Sequence, residues 1–179
     1  MKYHQVDIAG RIVNLPILRV SDTLSIAFFN LHGDVVLTEH CANKLADRIV
    51  GADVIITAES KGLQLAHCTA RVLGHSCYAV ARKTKKLYMQ DGISVEVKSI
   101  TTDEIQRLYL SAHDTALILG KRVAIVDDVI STGGSLRGLE ELVYKAGGTV
   151  VYKAAVLAEG DAKDRDDIQY LAAIPLISY

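Results

Sequence analysis

From about residue 50 onward the chain alternates short, continuous apolar runs with segments of helical spacing. Residues 53–57, 76–81, 117–127 and 150–157 are apolar runs bounded by turn residues, the pattern of strands covered on both faces. Residues 62–73 predict a helix ended by Gly74. Residues 136–146 predict another, with Leu136, Leu139, Leu142 and Val143 on one face. Upstream, Thr38 is placed to cap a helix running to about Val50, with Leu45, Ala46 and Ile49 turned inward. Residues 93–100 alternate as a strand does, while 3–37 read as short strands and turns broken at Gly10, Pro16 and Gly33. Residues 82–91 are polar, 158–167 form a charged linker, and 168–177 are a short closing element. Strands alternating with helices predict an α/β fold with a mainly parallel sheet flanked by helices. The expectation is a single domain over residues 1–179, with 1–37 a small N-terminal hood and 38–179 the core. The hood should lie over the carboxyl edge of the sheet, where ligands bind in such folds.

Composition narrows the class of function. With 179 residues, half of them hydrophobic, the chain can bury a proper core. A formal net charge of −1 gives no basic face for nucleic acid or for a membrane surface. Apolar stretches such as 116–119 are far too short to span a bilayer, and the opening MKYHQVDIAG has no apolar signal region. Cys41, Cys68 and Cys77 make neither a zinc pattern nor a disulfide framework, and each sits in an apolar segment as a buried free thiol would. A reducing compartment follows, most simply the cytoplasm. The six histidines are scattered with no pair at metal-ligand spacing.

The chemistry concentrates in residues 123–135, VAIVDDVISTGGS. An apolar strand ends in Asp127 and Asp128, and the small-residue loop Ser131-Thr132-Gly133-Gly134-Ser135 leads into the helix of residues 136–146. Two glycines let backbone N–H groups close on an anion, and the helix start behind them adds its positive dipole end. The acidic pair repels phosphate but suits vicinal hydroxyls or a hydrated divalent cation. A phosphate cradle beside a diol-and-metal reader describes a site for a phosphorylated ribose.

This stretch resembles the phosphoribosyl-diphosphate (PRPP) motif of the type I phosphoribosyltransferases, in which an apolar strand, two acidic residues, two variable residues and a small-Thr-Gly-Gly-Thr/Ser loop follow one another. The resemblance runs from about residue 53 to 159 and implies the type I phosphoribosyltransferase fold. It implies that Asp127 and Asp128 hold the ribose hydroxyls and Mg2+, directly or through PRPP and water, and that Ser131, Thr132, Gly133, Gly134 and Ser135 bind the 5-phosphate. Glu59-Ser60-Lys61-Gly62 matches the pyrophosphate loop, which often holds a strained peptide bond, here expected at Ser60–Lys61. Residues 81–91 have the pattern ARKxxKxxxxD and are followed by Val97-Lys98-Ser99-Ile100-Thr101, which looks like the xanthine enzymes. Their adenine-using relatives share the Arg-Lys-x-x-Lys start. On that likeness Arg82, Lys83 and Lys86 close over the leaving group, and Arg82 reaches across a homodimer.

Glu96 is the nearest match to the acidic residue that the adenine enzymes place after their flexible loop, although the tyrosine–glutamate–tyrosine–glycine surroundings are absent. Phe28 and Phe29 offer aromatic faces and Asn30 an amide for a purine base. The stretch 156–161, VLAEGD, lacks the lysine that many 6-oxopurine enzymes use against the exocyclic oxygen. Adenine is therefore the first expectation for the base and xanthine the second. A pyrimidine or orotate enzyme, and a non-catalytic PRPP-binding purine regulator, stay open. No helix-turn-helix-like block precedes the motif.

Overall fold

The computed structural model describes residues 2–98 and 105–178. Strands β1 (Tyr3–Ile8), β2 (Arg11–Arg19) and β3 (Leu24–Ala27) come first, followed by α1 (Val35–Ala46), β4 (Val54–Ala58), α2 (Leu63–Val72) and β5 (Ala79–Ala81). A hairpin of β6 (Ile93–Lys98) and β7 (Ile105–Leu110) leads to α3 (Ala112–Ile118), β8 (Arg122–Ile130), α4 (Gly134–Lys145) and β9 (Thr149–Glu159). A 3-10 turn (Gly160–Asp164), β10 (Gln169–Ile174) and β11 (Leu176–Ser178) close the chain.

The central sheet has the order β10-β9-β8-β4-β5, with every neighbouring pair parallel. Its middle strands have no solvent face, which is why residues 54–56 and 123–126 are all buried. Helices α1 and α2 cover one face through Leu37, Leu45, Leu65 and Ala66. The other face carries α4 through Leu136, Leu139, Leu142 and Val143, together with Ile118 of α3 and Val95 and Leu108 of the hairpin. The architecture is the expected α/β one.

The hood is a separate antiparallel sheet of order β1-β2-β3-β11. Its fourth strand comes from the far end of the chain, where Leu176 pairs with Ile26. The closing element of residues 168–177 thus divides, with β10 joining the main sheet and β11 the hood. Val6, Ile8, Leu15 and Phe29 tie the hood into the core beside α1.

Several local expectations shift. Asp34, not Thr38, caps α1 by accepting the Leu37 amide at 2.9 Å, and Thr38 lies inside the helix with its hydroxyl donating to the Asp34 carbonyl at 2.6 Å. Residues 117–127 are not one strand. Leu117 and Ile118 end α3, which is capped by the Ser111 side chain, and β8 begins at Arg122. The strand of residues 76–81 shortens to β5, and the linker of 158–167 is the end of β9 plus the 3-10 turn. Cys77 is exposed and Cys68 half-buried; only Cys41 is buried, and burial pushes its thiol up to about 12. Ser99, Ile100 and Thr101 lie outside the described residues.

Candidate functional site

The loop after β8 is shaped for an anion. Gly133 has φ +78°, a left-handed conformation that side-chain-bearing residues rarely adopt, and Arg165 Nη1 lies 2.6 Å from where a Cβ would stand. The turn starts α4 with no side-chain cap, so its first amides stay open. Ser131 through Leu136 line one side of a cavity of about 160 Å³. A second cavity of about 370 Å³ shares Ala58, Lys83, Asp127, Val129, Ser131 and Ser135 with it, so the two form one cleft.

Asp127 and Asp128 stand on the floor of this cleft. They lie within β8, which continues to Ile130, rather than at its end. The Asp128 amide donates to Asp127 Oδ1 at 2.9 Å, and Asp128 itself is buried. Burial pushes the Asp127 carboxyl up to about 8, and the Asp128 charge adds to the rise. Opposite them, Gly62 opens α2 at such close range that a Cβ would stand 2.4 Å from Thr57 Oγ1 and 3.2 Å from Asp127 Oδ1. That Thr57 hydroxyl is buried and has no hydrogen-bond partner among the described residues. A buried donor left open beside a carboxylate marks a place where ligand or solvent completes the network.

The loop Glu59-Ser60-Lys61-Gly62 joins β4 to α2, with a cis peptide bond between Glu59 and Ser60. The expected Ser60–Lys61 position is therefore one residue too late. Glu59 turns toward the segment after β5: it pairs with Arg82 at 3.0 Å and accepts the Lys83 amide at 2.9 Å, and its own amide donates to the Ala81 carbonyl at 3.0 Å. Burial raises the Glu59 carboxyl, but the Arg82 and Lys83 hydrogen bonds outweigh it and hold the group below its usual range. Arg82 also exchanges backbone hydrogen bonds with Tyr109 of β7, at 2.8 Å each way. The two loops are thereby stitched together and Lys83 is set into the cleft. Lys86 is exposed and stands apart from the cleft lining.

On the hood side Phe28 faces the cleft, and Lys61 Nζ sits 4.9 Å from the centre of its ring. Phe29 also borders the cleft, but at 3% exposed it is packed largely into the core. Asn30 is exposed, and its side-chain oxygen accepts the His32 amide at 3.1 Å, so it serves a local turn rather than the cleft. Glu96 stands outside on the hairpin, paired across it with Arg107. One residue that the sequence pattern did not single out does enter the cleft: Glu159, at the end of β9. Its signal was available, because an acidic residue directly after an apolar run repeats the sequence pattern that marks Asp127 and Asp128.

Among the described residues no group of three potential metal ligands converges. A hydrated magnesium ion needs no such cage, since one or two carboxylates and substrate phosphates suffice, and the Asp pair beside an open anion loop fits that need.

The family model described as "Phosphoribosyl transferase domain" matches residues 37–174. The chain is 32% identical over 162 residues to a xanthine phosphoribosyltransferase of Exiguobacterium sp., covering 89% of this chain and 80% of that one. It is 34% identical over 128 residues to an adenine phosphoribosyltransferase of Clostridium botulinum, covering 71% and 70%. Among solved structures, an adenine phosphoribosyltransferase from Thermoanaerobacter pseudethanolicus matches with a TM-score of 0.67 at 24% identity, over 80% of this chain and 84% of that one. The Giardia lamblia enzyme complexed with 9-deazaadenine matches with a TM-score of 0.69 at 20% identity, over 89% and 93%. At those identities the two structures speak to the fold.

Proposed function

The chain belongs to the phosphoribosyl transferase domain family, and from that premise we propose that it is a purine phosphoribosyltransferase, moving ribose 5-phosphate from PRPP to a purine nitrogen with release of pyrophosphate. The observation that carries this reading is the facing of two loops across one cleft: the uncapped Gly133–Gly134 start of α4 and the Glu59–Gly62 turn, with Asp127 and Asp128 between them. One loop receives the 5-phosphate, the acidic pair receives the ribose hydroxyls, and Ser60, Lys61 and Gly62 meet the pyrophosphate. The names of the Exiguobacterium and Clostridium relatives supply the purine class.

The work of the chain is placement and charge. Open amides at the α4 start fix the phosphate end without reorganising during the reaction. Asp127 and Asp128 accept from the ribose hydroxyls, which presents to the base the face of C1 opposite the departing pyrophosphate. The anomeric carbon gains positive character as its bond to pyrophosphate breaks, and the nearby carboxylates favour that charge. Lys61 and Lys83 neutralise the departing polyanion. Lys83 is held by the hydrogen bond its backbone N–H donates to the Glu59 carboxylate, and Arg82 holds Glu59 in turn. Magnesium, when bound by the Asp pair together with substrate oxygens, supplies further charge neutralisation on pyrophosphate.

Adenine is the base we place first, because the stretch VLAEGD at the end of β9 offers no cation for the exocyclic oxygen of a 6-oxopurine. Xanthine is second, supported by Lys61 over Phe28 and by the xanthine-named relatives. A homodimer is supported by the exposed pair Leu87 and Tyr88, 92% and 65% exposed, next to the Arg82 segment. Free thiols at Cys41, Cys68 and Cys77 support a reducing, cytoplasmic setting.

The test is incubation with PRPP, magnesium and, separately, adenine, xanthine, guanine, hypoxanthine and orotate, with nucleotide and pyrophosphate measured together. Purine nucleotide with equimolar pyrophosphate is expected. Binding of PRPP without turnover on any base would favour the regulator, and turnover on orotate alone would move the enzyme out of the purine class.

A further inference from the structure

Glu159 is the polar group of the cleft that the reaction so far leaves without a task. It ends β9, its backbone held by the parallel pairing to Ile174 of β10, and its side chain joins the cleft lining beside Phe28, Lys61 and Asp128. The residue is half-buried. Among the described residues its carboxylate has neither a hydrogen bond nor an ion pair. Burial raises it above its ordinary range, and the Lys61 charge opposes that rise only in part. A half-buried carboxylate facing a cleft with no donor of its own is open to a ligand or ordered water.

The chemistry of the substrates narrows that ligand. The phosphate and pyrophosphate of PRPP are anions, which a carboxylate repels. The ribose hydroxyls fall to Asp127 and Asp128. What remains is the heterocycle, whose N–H groups are the donors a carboxylate accepts from. Phe28 supplies an aromatic surface on the hood side, with Lys61 Nζ 4.9 Å from its ring centre, and Glu159 stands at the strand end of the same cleft. A ring stacked on Phe28 therefore presents an edge toward the β9 end.

We propose that Glu159 reads the base, accepting a hydrogen bond from the exocyclic amino group of an aminopurine such as adenine. The inference rests on the phosphoribosyl reading of the cleft and adds to it a residue that discriminates between bases. A base carrying hydrogen in place of that amino group leaves the carboxylate unpaired, and an unpaired buried polar partner is the strongest source of discrimination a pocket has.

The test compares binding of three probes by calorimetry: ribose 5-phosphate, adenosine 5′-monophosphate, and purine riboside 5′-monophosphate, which lacks only the 6-amino group. Parent protein should prefer the adenine nucleotide over the unsubstituted purine nucleotide by about tenfold, the scale of one buried polar contact. In Glu159→Ala and Glu159→Leu that preference should vanish, while ribose 5-phosphate affinity stays within twofold of the parent. Glu159→Gln, which keeps an accepting oxygen, should retain part of it. A parent protein that binds both nucleotides equally, or a Glu159→Ala protein that keeps the full preference, overturns the assignment and leaves the phosphoribosyl site standing. Failure of the parent to bind ribose 5-phosphate at all would overturn both.

Discussion

A single methyl group at Gly62 isolates the contact on which the cleft depends. An ideal Cβ at this position would stand 2.4 Å from Thr57 Oγ1, 3.2 Å from Asp127 Oδ1 and 3.6 Å from the Val126 carbonyl oxygen. Ordinary nonbonded contact begins near ~3.5 Å, so the shortfall against Thr57 is about 1 Å. Thr57 is fully buried on a central strand and stiff at its branched Cβ, so it yields little. Gly62 itself has φ −79°, which alanine adopts freely, so backbone strain does not confuse the outcome. The displacement therefore falls on the 59–62 turn. Overpacking of this size costs about 1–3 kcal/mol. At about 2–4 °C per kcal/mol for a chain of this length, the melting temperature should fall by about 2–12 °C. Turnover should fall further, because about 1 Å of misplacement at a reacting centre costs on the order of 100-fold. Thermal melts of Gly62→Ala combined with a PRPP titration of initial rates check both numbers. A variant that melts with the parent and keeps its PRPP KM within twofold would refute the close packing of the turn against Asp127.

Three other outcomes are expected. Burial holds Asp127 near 8 against an ordinary 3.8, with Asp128 raising it and Lys83 opposing; the folded protein thus binds more protons than the unfolded chain between those values and loses stability as pH rises through them. The metal-free protein should melt higher at pH 6 than at pH 8, Asp127→Asn should flatten that slope, and an unchanged slope in the variant would contradict the assignment. Phe29→Ala should cost about 3–5 kcal/mol in urea unfolding because its ring is in the core, whereas Phe28→Ala should cost clearly less yet raise the base KM; equal effects of the two on stability would show that the division of labour is misread. Arg82→Ala should leave the Glu59 carboxylate facing the pyrophosphate side uncompensated and weaken PRPP binding about tenfold, with Glu59→Gln in the same protein restoring part of it; no change in PRPP affinity would reduce the pair to a surface contact.

The main sheet was legible in the sequence where burial on both faces leaves a plain signature. The apolar run of β4 and the one-sided spacing of α4 are local facts, and they were read in place, whereas the run of β8 was started too early because Leu117 and Ile118 of α3 are as apolar as the strand. The phosphate loop was legible for the same reason, since Gly133 needs its glycine for a conformation and its neighbours need small side chains. What depended on distant pairing was not legible. β11 completes the hood by joining β3 across 150 residues of chain, and a three-residue strand has too little pattern to announce such a partner. The cap of α1 was misplaced because Asp34 and Thr38 are both competent capping residues, and packing of Leu37 and Thr38 against the core decides between them. α3 was hidden because its seven residues show little periodicity. Asn30 was grouped with Phe28 and Phe29 by adjacency, yet its amide oxygen is taken by the His32 N–H, while both phenylalanines border the cleft. Glu59 carried an unread role for a related reason: its partners Arg82 and Lys83 come from a different strand end, which only the parallel pairing of β4 with β5 brings beside it.

The central claim is transfer of the phosphoribosyl group, and isotopic labelling follows that group directly. PRPP carrying 13C at the anomeric carbon, incubated with the protein, magnesium and 15N-labelled adenine, should give a nucleotide in which the labelled carbon shows one-bond coupling to the base nitrogen, together with one equivalent of pyrophosphate. With Asp127→Asn, Asp128→Asn protein the label should stay in PRPP. Label that remains in PRPP with the parent protein for every purine base tried, or pyrophosphate released while the label appears only in free ribose 5-phosphate, would contradict the transfer.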